Sequence, residues 1–210
     1  ISGNDSVRRF SEAGVDVFIG DGRFTGHDSV QVGSNTLRFS RGVIATGARA
    51  AAPPIDGLEE AGYLTNETVF SLTELPQRLV VIGAGPIGVE LSQVFVRFGS
   101  EVHLLEAASQ ILVREDRDAA DRVEAALKRD GVRIVFGCDI KKVSRTAGGK
   151  LVELDGAGGR KSILVDEILV GVGRAPNVEG IGLESAEVDY HPRKGVIVDD
   201  YLQTTNPKIF

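Results

Sequence analysis

Three glycines, Gly83, Gly85 and Gly88, stand at the spacing G-x-G-x-x-G, and Glu106 follows 23 residues after the first of them. Each glycine has a separate physical task. Gly83 permits a tight turn. Gly85 lets a pyrophosphate approach the backbone where a Cβ would otherwise stand. Gly88 lets a helix pack closely on its strand. Ala84, Pro86 and Ile87 complete the turn, and Pro86 suits a first helical turn, where its missing N–H is no loss. The free N–H groups at that helix start and the positive end of its dipole make a site for an anion. A carboxylate about 20 residues further on is the residue type that accepts hydrogen bonds from a ribose.

The neighbouring residues supply the elements such a site requires. Leu79–Ile82 is an apolar run that reads as a buried strand. A helix from about Pro86 to Phe98 comes next, with Ile87, Leu91, Val94, Phe95 and Phe98 on one stripe and Gly99 as its stop. Val102–Leu105 reads as a second strand, and it ends in Glu106. The bland alternative is a βαβ unit whose glycines only turn the chain. Strand, turn, helix, strand and acid in this order favour dinucleotide binding.

The rest of the chain builds around this unit. Residues 1–13 suggest a short helix capped by Asp5 or Ser6. Val15–Ile19 reads as a strand, 20–22 as a turn, and 29–32 with 36–39 as a hairpin about 33–35. Gly42–Thr46 reads as a further strand, so this opening block is a small β-meander. Pro53-Pro54 and Gly57 mark a linker, and 61–75 a mixed stretch. After Glu106 the pattern predicts a helix over about 117–130, with Ala119, Ala120, Val123, Ala126 and Leu127 buried and Gly131 at its end. A third strand at 132–136 precedes a second meander (140–145, 151–154, 162–165), a returning apolar strand at 168–172, and short strands at 196–198 and 204–210. The fold class expected is α/β: a Rossmann-like domain with an inserted antiparallel meander and β-rich flanks.

Composition narrows the partners. The net charge of −6 argues against a nucleic-acid surface and an anionic membrane. No apolar run approaches the ~20 residues of a membrane span. The single cysteine, Cys138, forms no disulfide within the chain, which makes a cytoplasmic setting the default. His27, His103 and His191 have no metal-ligand spacing, and no metal site is expected. The absence of Met and the final Lys208-Ile209-Phe210, which reads as the opening of a strand, lead to the expectation of a longer parent protein.

Four motifs in this order resemble the pyridine nucleotide-disulfide oxidoreductases, the flavoenzyme group of lipoamide dehydrogenase, mercuric reductase and glutathione reductase. They are Ala45-Thr46-Gly47, Gly83–Glu90, the strand end at Glu106, and Gly173-Arg174-Ala175-Pro176-Asn177. The tail Thr204–Phe210 is similar to the lead-in to that family's second flavin motif. The resemblance implies that 1–70 belong to a partial FAD domain, 71–192 to an NAD(P)-binding domain, and 193–210 to the return into the FAD domain. It implies hydride transfer from NADH to flavin and on to a disulfide or metal acceptor, in a parent that is a homodimer. On the NAD side it points to Gly83, Ala84, Gly85, Pro86, Ile87 and Gly88 at the pyrophosphate and Glu106 at the ribose. Ile140 falls at the adenine and Gly173 near the nicotinamide, while Glu90 falls at a flavin-side ion pair. On the FAD side it points to Gly22, Thr46, Gly47 and Ala48. The family's first FAD motif and its cysteine pair are absent from this sequence, so no catalytic residue is assigned and the fragment is expected to be inactive alone.

Glu106 repels a 2′-phosphate, and Ala107, Ala108 and Ser109 after it offer no arginine to receive one. Gly88 in place of Ala points the same way. These residues favour NAD(H) over NADP(H), with Arg114 and Arg117 as the cations that could oppose that preference. A non-catalytic dinucleotide-binding or redox-sensing module, and a flavoenzyme without the disulfide, remain as alternatives.

Overall fold

The computed structural model describes residues 6–156 and 158–210, which pack into two units: Arg49–Arg174, and the chain up to Ala48 together with Ala175–Phe210. Residues 49–70 thus pack with the Gly83 unit, and residues 175–192 with the other. Asp5, one of the two candidate helix caps, lies outside the described residues. Ser6 is the cap of Val7–Glu12, its side chain accepting from the Arg9 N–H.

The Arg49–Arg174 unit is organised by the apolar run of the first strand. Leu79, Val80, Val81 and Ile82 are all buried. Leu79 and Val81 enter one core cluster, Val80 and Ile82 another. A strand buried on both faces is what a parallel sheet demands. That sheet runs Glu167–Val170, Arg78–Ile82, Glu101–Glu106, Arg133–Phe136, every pair parallel. The first strand in sequence therefore lies second, and the order reverses between Ile82 and Val170. In open α/β sheets ligands bind at the carboxyl ends of the strands at such a switch point.

One face is covered by the helices Pro86–Phe98 and Arg117–Asp130. They are tied together where Gln93 and Arg97 both donate to Asp130 at 2.8 Å. The other face is covered by the antiparallel meander Asp139–Thr146, Gly149–Gly156, Gly159–Val165. Two ion pairs fasten this meander and its return to the sheet. Arg78 donates through Nη2 to Asp166 (2.5 Å) and to the Gly148 carbonyl (2.8 Å). Lys150, almost wholly buried, donates to Glu167 (2.5 Å) and to the Gly62 carbonyl (2.8 Å).

Several sequence expectations shift. The buried face of Pro86–Phe98 is Gly88, Val89, Ser92 and Phe95, while Val94 and Phe98 are exposed. Gly88 sets this rotation, because it is the residue pressed against the strand. Ala119 is exposed and Ala120 buried in the second helix. Val15–Ile19 forms no strand despite its alternating pattern, since no segment among the described residues pairs with it. Gly42–Thr46 and 204–210 are likewise irregular, apart from a bridge between Gly42 and Ile209. The expected turn at 20–22 instead leads into a strand, Gly22–Gly26, which pairs with Ser29–Val32 of the predicted hairpin.

His103 sits in the sheet between Val80 and Arg133 with its Nδ1 buried and unpartnered. Burial, and then the Arg133 charge, hold its pKa below the ordinary histidine value. Below about pH 6.5 the unfolded chain takes up a proton that the folded chain refuses, so stability falls there with decreasing pH. Urea unfolding between pH 8 and 5 is expected to show this loss. The variant His103→Gln is expected to flatten it, and an unchanged pH dependence in that variant would remove His103 as its source.

Candidate functional site

The carboxyl ends of the parallel strands open onto a crevice of about 890 Å³, within the range of small-molecule sites. The glycine turn forms its floor. Gly83 has φ +96°, and a Cβ built there would stand 2.9 Å from the Gly171 carbonyl oxygen. A Cβ at Gly88 would stand 1.9 Å from the Gly83 oxygen. Both positions are glycine because the protein itself leaves no room. Gly85 differs: its φ is −73°, and the nearest atom to a Cβ there is 3.9 Å away. Among the described residues nothing demands glycine at Gly85, and Gly85 lines the crevice. The helix begins at the next residue with no side-chain cap, so the first-turn amides are left for a ligand.

Glu106 stands beside this turn. Its Oε2 accepts the Ala84 N–H at 2.7 Å and its Oε1 the Ala108 N–H at 2.9 Å. Ile140 lines the crevice where the Asp139–Thr146 strand shifts register between Ile140 and Lys142, and such a bulge re-aims a side chain. Gly173 lines the opposite part with φ +126°, and its carbonyl accepts the Ala51 N–H at 3.0 Å.

The structure thus brings Gly83, Gly85, Pro86, Ile87, Glu106, Ile140 and Gly173 onto one crevice. Ala84 and Gly88 are buried behind it. Glu90 is exposed on the helix and does not line the crevice. Leu112, Arg114 and Glu115 complete the rim. Leu112 carries φ +49° and donates its N–H to the Ala84 carbonyl at 2.8 Å. Arg114 faces the crevice, whereas Arg117 is engaged by Asp121 at 2.8 Å. Sequence reasoning missed Pro53 and Ile55, which also line it; the Pro-Pro pair there signals only a linker. Cys138 lines the crevice too, but its Sγ donates to the Glu106 carbonyl at 3.4 Å and burial pushes the thiol pKa up. A protonated, buried thiol is a poor nucleophile.

In the other unit Gly22 and Thr46 line a hollow of about 660 Å³, beside Gly20, Asp21 and Glu179–Ile181. Gly47 has φ +67°, and Ala48 opens the strand Ala48–Ala50. Asn177 clasps this turn: its carbonyl accepts the Thr46 hydroxyl at 2.8 Å, and its N–H donates to the Gly47 carbonyl at 3.0 Å. The sequence shows Asn177 in a motif but not its partner 131 residues away. Among the described residues no cluster of His, Cys, Asp and Glu could hold a metal ion, and no helix is long and apolar enough to cross a membrane.

The two reasons for a glycine, close packing and ligand approach, separate by substitution. Gly88→Ala is expected to cost about 1–3 kcal/mol by overpacking. Gly85→Ala is expected to stay within about 0.5 kcal/mol of the parent yet weaken dinucleotide binding at least about tenfold. Urea melts and calorimetric titration of both variants check this; a Gly85→Ala chain that binds as the parent does would show that Gly85 faces no ligand.

Comparison with known proteins agrees with this geometry. The chain is 34% identical over 204 residues to a mercuric reductase of Bacillus cereus, covering 97% of this chain and 32% of that protein. It is 34% identical over 200 residues to a dihydrolipoyl dehydrogenase of Thermus scotoductus, covering 93% and 43%. Its structure superposes on the HOCl-induced flavoprotein disulfide reductase RclA of Escherichia coli with a TM-score of 0.83 at 33% identity, covering 93% of this chain and 44% of that one. The chain therefore spans about a third to less than half the length of these relatives. The family model of the pyridine nucleotide-disulphide oxidoreductases matches residues 2–210, and together with the glycine turn at the sheet's switch point this shows that the chain belongs to that family.

Proposed function

We propose that the crevice of the Arg49–Arg174 unit binds NAD(H), and that the chain is the coenzyme-binding portion of an FAD-dependent oxidoreductase. The observation that carries this reading is Gly85, a glycine that nothing among the described residues demands, set on the crevice beside an uncapped helix start. Gly83, Ala84, Gly85, Pro86, Ile87 and Gly88 form the turn that seats the pyrophosphate; the amides that meet it are those of the helix start, since Pro86 has no N–H and those of Gly83 and Ala84 are engaged by Leu105 and Glu106. The outward lone pairs of Glu106 take the ribose, Ile140 packs on the adenine, and Gly173 offers its backbone towards the nicotinamide end. Gly22, Thr46, Gly47 and Ala48 serve as backbone contacts for the flavin in the parent, and Glu90 as a charged residue on its flavin side. The nicotinamide and flavin supply the redox chemistry; the chain supplies binding and orientation. The names of the relatives point to mercury, a lipoyl group or a disulfide as the class of acceptor. The single cysteine, buried and with its thiol pKa raised, leaves reduction of that acceptor to residues outside this chain. The parent is inferred to be a cytoplasmic homodimer, and this portion alone to bind coenzyme without turnover.

The preference for NAD(H) over NADP(H) rests on Glu106, opposed by Arg114 on the rim. Titration with both reduced coenzymes is expected to show tighter binding of NADH. Glu106→Ala is expected to narrow the gap about tenfold, equivalent to about 1.4 kcal/mol. Equal affinities in the parent, or an unchanged gap in the variant, would take that role from Glu106.

A further inference from the structure

On the reading that the crevice holds a nicotinamide dinucleotide, we propose that Glu106 is a positioning residue for the glycine turn, and not only the acceptor for the ribose hydroxyls. The first two strands of the sheet pair in register from Arg78↔Glu101 to Ile82↔Leu105. Beyond them the Gly83 N–H donates to the Leu105 carbonyl at 2.8 Å. The next donor, the Ala84 N–H, finds no carbonyl. It donates to the Glu106 carboxylate at 2.7 Å, so a side chain continues the ladder where the backbone has turned away.

Ala84 is fully buried. Without the carboxylate its amide would be an orphaned donor inside the protein, which folded chains avoid by rearranging towards water or another acceptor. The backbone that must move in response is the turn itself, Gly83-Ala84-Gly85, because the Ala84 carbonyl is already engaged by the Leu112 N–H at 2.8 Å. Moving that turn displaces Gly85 and the helix start, the very groups that meet the pyrophosphate. The second carboxylate oxygen accepts the Ala108 N–H at 2.9 Å, fixing the side chain from both oxygens. A carboxylate has about four acceptor positions; two are spent on the protein and two remain for a diol. The same group therefore shapes the pyrophosphate seat and reads the ribose. A glutamine is an incomplete replacement, because its NH₂ would oppose one of the two backbone N–H groups.

A thermodynamic cycle separates the two roles. NADH and an NADH analogue lacking the adenosine-ribose 2′ and 3′ hydroxyls are titrated into the chain and into Glu106→Ala. If Glu106 acts through the hydroxyls alone, the analogue binds both proteins equally, and the proposal is overturned. The expected result is that the analogue still binds the variant at least tenfold more weakly than the parent. Amide hydrogen exchange of the ligand-free chain gives a second reading. Ala84 protection is expected to fall at least tenfold in Glu106→Ala and by less in Glu106→Gln; protection unchanged in both overturns the proposal. If the alanine variant does not fold, Glu106→Gln carries both comparisons in the same direction. Failure of the parent to bind NADH, with Ala84 protection still dependent on Glu106, would sink the coenzyme reading while leaving the carboxylate's hold on the turn intact.

Discussion

Three stretches of backbone meet at the sheet's switch point with no side chain between them. Gly83 lies against Gly171, Gly88 lies against Gly83, and a Cβ at either position would fall within about 3 Å of a carbonyl oxygen. This contact brings the helix start down onto the strand ends and brings the returning strand alongside. The crevice exists because the chain can pass this closely to itself. Its lining includes Glu106, the last residue of the neighbouring strand, and Val172 and Gly173 beyond the returning one.

A close steric contact alone would not hold a four-stranded sheet in register, and the ion pairs at its opposite end supply what is missing. Arg78 and Asp166 stand at the starts of adjacent strands and share a hydrogen bond from the Arg78 amide as well as the guanidinium. The guanidinium holds the Asp166 carboxyl below the ordinary carboxylate range. Lys150 and Glu167 join the meander to the same strand. Pairs of this kind offset their own desolvation at best, so burial of the apolar clusters on both faces drives the packing. The pairs decide which strand lies beside which: moving the returning strand elsewhere would leave Lys150, buried, without its carboxylate and with only the Gly62 carbonyl.

The parts of the site legible in the sequence are those whose cause is local. A glycine needed for a turn, a proline at the first helical residue and a glycine after the last one each act within a few residues, and all stand where the pattern places them. The illegible parts depend on partners far along the chain. The Val94 and Phe98 stripe fits the helical period, yet the buried face is chosen by Gly88 against a strand. Val15–Ile19 has the alternation of a strand, but a strand is defined by the neighbour that pairs with it. Asn177 reads as the end of a short motif until its bonds to Thr46 and Gly47 show it to be a clasp.

Glu106 shows the same limit from the other side. Spacing alone assigns it to a ribose, because the distance from the glycines is all the sequence offers. The structure adds that both oxygens are already held by backbone amides. Each such tie removes an acceptor position that a ligand could have used. Their presence makes sense if the carboxylate must be rigid before the ligand arrives, for a fixed acceptor loses less freedom on binding than a swinging one. The same ties satisfy a buried amide that no carbonyl reaches. Preorganisation of the ligand site and satisfaction of the fold are then one arrangement of atoms, and a change at Glu106 acts on both.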